Sequence, residues 1–189
     1  MAKKRTEEQG KAYELKITLL GTDPPVWRRV QVPADILLSD LHRVIQAVMG
    51  WEHQHLHEFE IKGVRYTDLD QAGGELEAED EAEVPLNELV TRVRTKFRYW
   101  YDFGDDWRHE IQLERILPPT PEGRSVRCVD GANACPPEDC GGTWGYYAKL
   151  KVLKDPQHED YEWVAEWMGE DFDPTAFDLE DVNRAFRKP

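Results

Sequence analysis

The sequence predicts an α+β fold: a mostly antiparallel sheet with a helix packed on one face and a helical C-terminal third. Three observations carry this expectation. Tyr13, Leu15, Ile17 and Leu19 alternate with Glu14, Lys16 and Thr18, the period of two that marks a half-buried strand. Leu41, Val44, Ile45, Val48 and Met49 fall on one stripe at helical spacing. The stretch Tyr99-Trp100-Tyr101-Asp102-Phe103-Gly104-Asp105-Asp106-Trp107-Arg108-His109-Glu110-Ile111 reads as two strands joined by a tight acidic turn.

The elements follow in order. Residues 1–11 are polar and read as a disordered lead-in, and residues 12–187 read as a single domain. After the first strand, residues 21–25 make a turn, because Pro24-Pro25 cannot continue a central strand. Val26, Val30 and Val32 alternate again through Trp27, Arg29 and Gln31, so the two runs predict a hairpin. Ser39 stands where it could cap a helix running to about Met49, and Gly50 where a left-handed C-terminal cap is expected. Residues 55–62 read as a third strand, turned by Gly63 towards residues 64–66. Within residues 70–84, Glu75, Glu77, Glu79, Asp80, Glu81 and Glu83 crowd together. Like charges at this density repel and stay hydrated, which predicts a mobile acidic loop. Leu86, Leu89 and Val90 predict a short helix. In the hairpin that follows, Phe97, Tyr99, Tyr101 and Phe103 are expected on one face, and Trp107, His109, Ile111 and Leu113 on one face of the return strand. Residues 128–145, rich in Cys, Gly and Pro, predict an irregular loop. Tyr161, Val164, Ala165 and Met168 are helically spaced before Gly169, and Asp178 can cap a last helix carrying Leu179, Val182 and Phe186.

At 189 residues and 40% hydrophobic content, the chain can bury a core without staples. Its apolar runs fall short of the roughly 20 residues that cross a membrane. The first ten residues have no apolar segment of the kind a secretory signal carries. A cytoplasmic protein without a membrane partner is therefore expected. The net charge of −14 opposes phosphate backbones, so a protein partner is expected ahead of a nucleic acid. An odd number of cysteines, three, in a reducing compartment argues against a disulfide framework.

Three constellations could carry chemistry. Asp102, Asp105, Asp106 and His109 gather around the acidic turn. Carboxylates converging there can bind a hard cation, and a carboxylate beside a histidine can orient a general base. The plainer reading is that the aspartates simply build the turn. In Trp51-Glu52-His53-Gln54-His55-Leu56-His57-Glu58-Phe59, the histidines are two apart, so on a strand they point to one face, either as core residues or as metal ligands. Cys128, Cys135 and Cys140 could hold zinc as the cofactor, with His109 or a strand histidine as fourth ligand, or could be free thiols packed in a tight loop. No nucleophile elbow, phosphate-binding glycine loop or dinucleotide fingerprint is present. Asp102-Phe103-Gly104 matches the kinase magnesium triplet only by spelling, since the other kinase segments are missing.

Three segments together resemble the plasmid pRiA4b ORF-3-like protein family. They are Pro25-Val26-Trp27-Arg28-Arg29 with the helix and Gly50-Trp51; His55-Leu56-His57-Glu58-Phe59 with residues 99–111; and Cys135-Pro136-Pro137-Glu138-Asp139-Cys140-Gly141-Gly142 with Gly145-Tyr146 and Phe172-Asp173-Pro174. The resemblance implies an α+β domain found in bacteria and archaea, and it brings no established activity. Some relatives carry transposon- or resolvase-type labels, but the serine nucleophile context of a resolvase is not recognisable here. Three readings of function stay open. The first is a binding or interaction module of unassigned role, linked to mobile elements, using a surface where His55, His57, Asp102, Asp105, Asp106 and His109 converge. The second is a metal-dependent hydrolase-like enzyme using that cluster. The third is an accessory protein that contacts DNA or a recombinase.

Overall fold

The computed structural model describes residues 10–73, 77–119, 125–169 and 171–187. Most of the expected lead-in and Glu75 of the acidic run lie outside the described residues. Eight strands form one sheet: β1 (Ala12–Leu19), β2 (Trp27–Pro33), β3 (His57–Ile61), β4 (Val64–Thr67), β5 (Glu79–Asp80), β6 (Lys96–Tyr101), β7 (Trp107–Leu117) and β8 (Arg127–Ala132). Their spatial order is β5-β4-β3-β6-β7-β1-β2-β8, and every neighbouring pair is antiparallel except β4 and β5. Six helices accompany it among the described residues: α1 (Leu38–Met49), α2 (Leu69–Ala72), α3 (Leu86–Leu89), α4 (Gly142–Leu153), α5 (Tyr161–Met168) and α6 (Leu179–Arg184).

The alternation in the sequence is legible because the two faces of the sheet differ so strongly. On the inner face, Leu15, Ile17, Val30, Val32, Ile111 and Leu113 are fully buried with Leu38, Leu41 and Ile45 of α1. Burying each such side chain contributes about 1.5–3 kcal/mol. The outer face carries cross-strand ion pairs: Arg29 with Glu114 and Asp130, both at 2.7 Å, and Lys96 with Glu110 at 2.7 Å. The registers place Phe59 beside Tyr99, Tyr99 beside His109, and His109 beside Leu19, so His109 sits in the middle of a buried row.

Several local expectations change. Helix α1 begins at Leu38 with Leu37 as N-cap and no side-chain cap, so Ser39 lies inside the first turn. Its other end is as expected, with Gly50 left-handed. Strand β3 starts only at His57, because His53 takes a positive φ of 61° and breaks the extended chain. His53, His55 and His57 therefore do not share a strand face. Phe103 lies beyond β6 and packs on Trp100, ring centroids 4.4 Å apart, rather than joining Phe97, Tyr99 and Tyr101 in the core. Part of the acidic segment takes up regular structure: β5 pairs with β4, and Glu81 is buried. The segment expected as a loop from residue 128 opens on strand β8 and ends in helix α4, so the C-terminal third mixes an edge strand with helices. Asp178 does cap α6, accepting from the N–H groups of Glu180 and Asp181.

Arg28 is buried on the inner face, where an aliphatic residue is the default. Its guanidinium donates to the carbonyls of Val48, Trp27 and Ala132 at 2.9–3.0 Å and lies over the Phe177 ring. It thus ties the end of α1 to strands β2 and β8.

Candidate functional site

Two of the six candidate residues come together, and a third partner joins them. His55 Nε2 lies 3.7 Å from Asp102 Oδ2 and 3.1 Å from Asp139 Oδ1. The three ligand atoms all lie within 4.8 Å of one another. Among the described residues no other group of three or more His, Cys, Asp or Glu side chains is arranged this way.

Each member is placed by local chemistry. Asp102 follows β6 and adopts a positive φ of 52°, a conformation that Asp tolerates better than most residues. Its N–H donates to the carbonyl of Leu56, which joins the turn to the segment carrying His55. Its Oδ1 accepts from the N–H groups of Gly104 and Asp105, leaving Oδ2 towards His55. Asp139 also has a positive φ, 57°. Its loop is sewn down on both sides. Trp51 Nε1 donates to Pro136 O at 3.0 Å, Glu138 accepts from the Glu52 N–H and the Tyr101 hydroxyl, and Gly141 N–H donates to Asp105 Oδ2. Burial, together with the Glu138 carboxylate, holds the Tyr101 phenol above its usual pKa, so it stays a donor. Two glycines let the loop approach this closely. A Cβ on Gly142 would stand 2.3 Å from Asp105 O, and one on Gly145 would stand 2.0 Å from Cys140 O. Asp105 thus helps dock the loop.

The arrangement fits a cation. His55 Nε2 is buried and makes no hydrogen bond of normal geometry, although a carboxylate oxygen stands 3.1 Å away. One imidazole nitrogen facing two carboxylates is a donor set that suits zinc, manganese or iron. Asp139 is largely exposed and borders a groove of about 380 Å³ that also runs past Trp144, Lys149 and Trp163. A cation here would have protein on one side and water on the other.

The other candidates lie elsewhere. Asp106 is exposed and pairs with Arg108 at 2.8 Å. His57 is buried, with Nε2 2.8 Å from Glu81 and its ring stacked on His42, centroids 3.5 Å apart. His109 is fully buried between the rings of Trp51 and Tyr99. Burial pushes its pKa down to about 3, with the backbone of Tyr99 and Trp107 pulling partly back. The three cysteines are free thiols and do not gather around a point. Cys128 donates to Asp130 O and Cys140 to Gly142 O, and burial raises the Cys140 thiol to about 12.

A second polar network runs through the core. The Tyr99 hydroxyl sits 2.7 Å from His42 Nδ1 and accepts from Gln46 Nε2, and His42 Nε2 meets His53 Nδ1 at 3.1 Å. Burial, reinforced by nearby His57, His53 and Arg43, lowers His42 to about 2, so it is a neutral link between the buried tyrosine and the exposed His53. His42 and Gln46 were visible in the sequence as polar breaks in the apolar stripe of α1, spaced four apart. Asp139 had no such signal beyond its place in the Pro136–Gly142 motif.

The sequence profile of the plasmid pRiA4b ORF-3-like proteins matches residues 11–181, which takes in all three site residues. The chain belongs to this family. It is 41% identical over 174 residues to the uncharacterised protein y4hQ of Sinorhizobium fredii, covering 90% of this chain and 88% of that protein. Among solved structures it is similar to a protein of unknown function, MM3350 from Methanosarcina mazei Go1, with a TM-score of 0.80 and 41% identity, covering 91% of this chain and 97% of that one. The family match agrees with the motifs in the sequence, and the structural likeness with the mixed α and β architecture. No helix among the described residues is long and apolar enough to cross a membrane.

Proposed function

We propose that this protein is a metal-dependent, hydrolase-like enzyme whose divalent cation is held by His55, Asp102 and Asp139. The observation that carries the reading is the convergence of these three ligand atoms from three separate segments at a solvent-facing edge. Structural zinc sites are closed by four protein ligands, whereas three ligands plus open positions leave room for water and substrate. A cation there would lower the pKa of bound water and supply a hydroxide nucleophile near neutral pH. The chain's own part is to orient the donors: the Gly104 and Asp105 N–H groups fix one oxygen of Asp102, and Glu138 anchors the loop that carries Asp139.

The test is hydrolysis of p-nitrophenyl acetate and p-nitrophenyl phosphate by protein loaded with zinc or manganese. Turnover above the free-metal blank, abolished by EDTA and by Asp102→Asn, is expected. Stoichiometric metal binding without turnover of either class would set the enzymatic part aside.

A second reading is supported by a different feature. Trp144 is 84% exposed and Trp163 60% exposed on neighbouring helices α4 and α5. Large exposed indoles are costly to leave in water and are enriched at interaction surfaces. This supports a binding module whose partner covers that face, and the groove shared with Asp139 would put the partner next to the cation. Retained co-purification of one partner by wild type, lost in the Trp144→Ala, Trp163→Ala double variant, would favour it.

A further inference from the structure

Apart from the metal site, the molecule holds an apolar cavity of about 560 Å³. It lies between the turn joining β1 and β2, helix α4, and the segment before α6. Val26 and Tyr146 give it buried apolar walls, with Leu150, Leu153 and Phe172 partly buried beside them. Its size falls in the range that encloses a small organic ligand.

The polar groups at this cavity are mostly satisfied. Thr22 donates to Leu19 O and accepts from the Val26 N–H. Thr175 donates to Asp173. The Tyr147 hydroxyl donates to Asp23 O and accepts from the Asp23 N–H, which staples the turn to α4. Three charged groups are left. Lys151 and Lys154 line the cavity, and neither ammonium has an ion-pair partner among the described residues. Asp23 also borders it, so the balance is two cations against one carboxylate, in a chain of net charge −14. Lys151 stands in the last turn of α4, where a cation complements the helix dipole. The dipole accounts for a cation at that helix end, but not for a half-open apolar pocket bordered by two cations without ion-pair partners among the described residues.

We propose that this cavity is a binding site for a small amphipathic carboxylate, with its apolar body between Val26, Tyr146, Leu150 and Phe172 and its carboxylate between Lys151 and Lys154. The commitment to an anion rests on charge complementarity. Two ammonium groups at the solvent-exposed rim of an apolar pocket favour a carboxylate head and disfavour an ammonium head on the same tail.

The site is separate from the metal centre, so the test is run with EDTA present. Decanoate and decyltrimethylammonium are titrated into the intact protein by isothermal calorimetry. Decanoate is expected to bind saturably at one per chain, the ammonium amphiphile not to do so, and the Lys151→Glu, Lys154→Glu double variant to bind decanoate at least about tenfold more weakly. Both lysines are exposed, so the variant is expected to keep the wild-type circular dichroism spectrum and Tm. Non-saturating uptake of decanoate, equal uptake of both amphiphiles, or unchanged binding in the double variant would overturn the proposal.

Discussion

Replacing His109 with phenylalanine should remove a defined part of the protein's acid sensitivity. The imidazole is fully buried, neither nitrogen makes a hydrogen bond of normal geometry, and its pKa is lowered from 6.5 to about 3. The unfolded chain therefore takes up a proton at His109 well before the folded protein does. Its contribution to stability is complete above the unfolded value and is lost as pH falls from 6.5 towards the folded value. With one pKa unit equal to about 1.4 kcal/mol, the loss is about 2 kcal/mol by about pH 5 and about 4 kcal/mol by about pH 3. His42, lowered to about 2, adds a similar loss by about pH 5. Urea unfolding of wild type at about pH 7.5 and about pH 5 should show both contributions, and His109→Phe should lose only the His42 part. Phenylalanine also removes two buried nitrogens that make no hydrogen bond of normal geometry, an expected gain of about 1–3 kcal/mol that offsets overpacking of similar size at neutral pH. The slope between the two pH values does not depend on that offset. Equal slopes in wild type and His109→Phe would refute the reasoning.

Three further outcomes are expected. Arg28→Met should lower stability by about 3 kcal/mol in urea unfolding, because one buried and two part-buried carbonyls lose a donor, and Arg28→Lys should not restore it because an ammonium cannot span all three. Gly145→Ala should push Cys140 away and displace the loop carrying Asp139, giving at least about tenfold weaker metal binding while the far-ultraviolet circular dichroism stays native. Asn183 bonds both the N–H and the C=O of Cys128 on edge strand β8, standing in for a missing strand; Asn183→Ala should cost about 1–2 kcal/mol and increase concentration-dependent association in light scattering.

Much of the fold is legible in the sequence, and the reason is physical. The sheet has one charged face and one apolar face, so every long strand alternates cleanly, and Trp107, His109, Ile111 and Leu113 fall on the inner face as their spacing requires. The places that were not legible depend on contacts between distant segments. Arg28 looks like a solvated arginine until Val48, Ala132 and Phe177 surround it. Glu81 looks like one more repelling carboxylate until His57 meets it. At the candidate site, His55 and Asp102 carried a signal because both sit in motifs dense in titratable groups. Asp139 did not, because only the docking of its loop through Glu138 and Gly141 makes it a neighbour. His57 looks equivalent to His55 because spacing does not tell a strand from the bend before it, and His109 because nothing near it in sequence shows that Trp51 and Tyr99 enclose it.

The measurement that bears most directly on the account is the stoichiometry of zinc and manganese binding by isothermal calorimetry. It should use metal-stripped wild type beside His55→Ala, Asp102→Asn, Asp139→Asn and Cys140→Ser. One site per chain is expected in wild type and Cys140→Ser, with binding lost in the other three while their Tm changes little. No binding by wild type, or loss only in the cysteine variant, would contradict it.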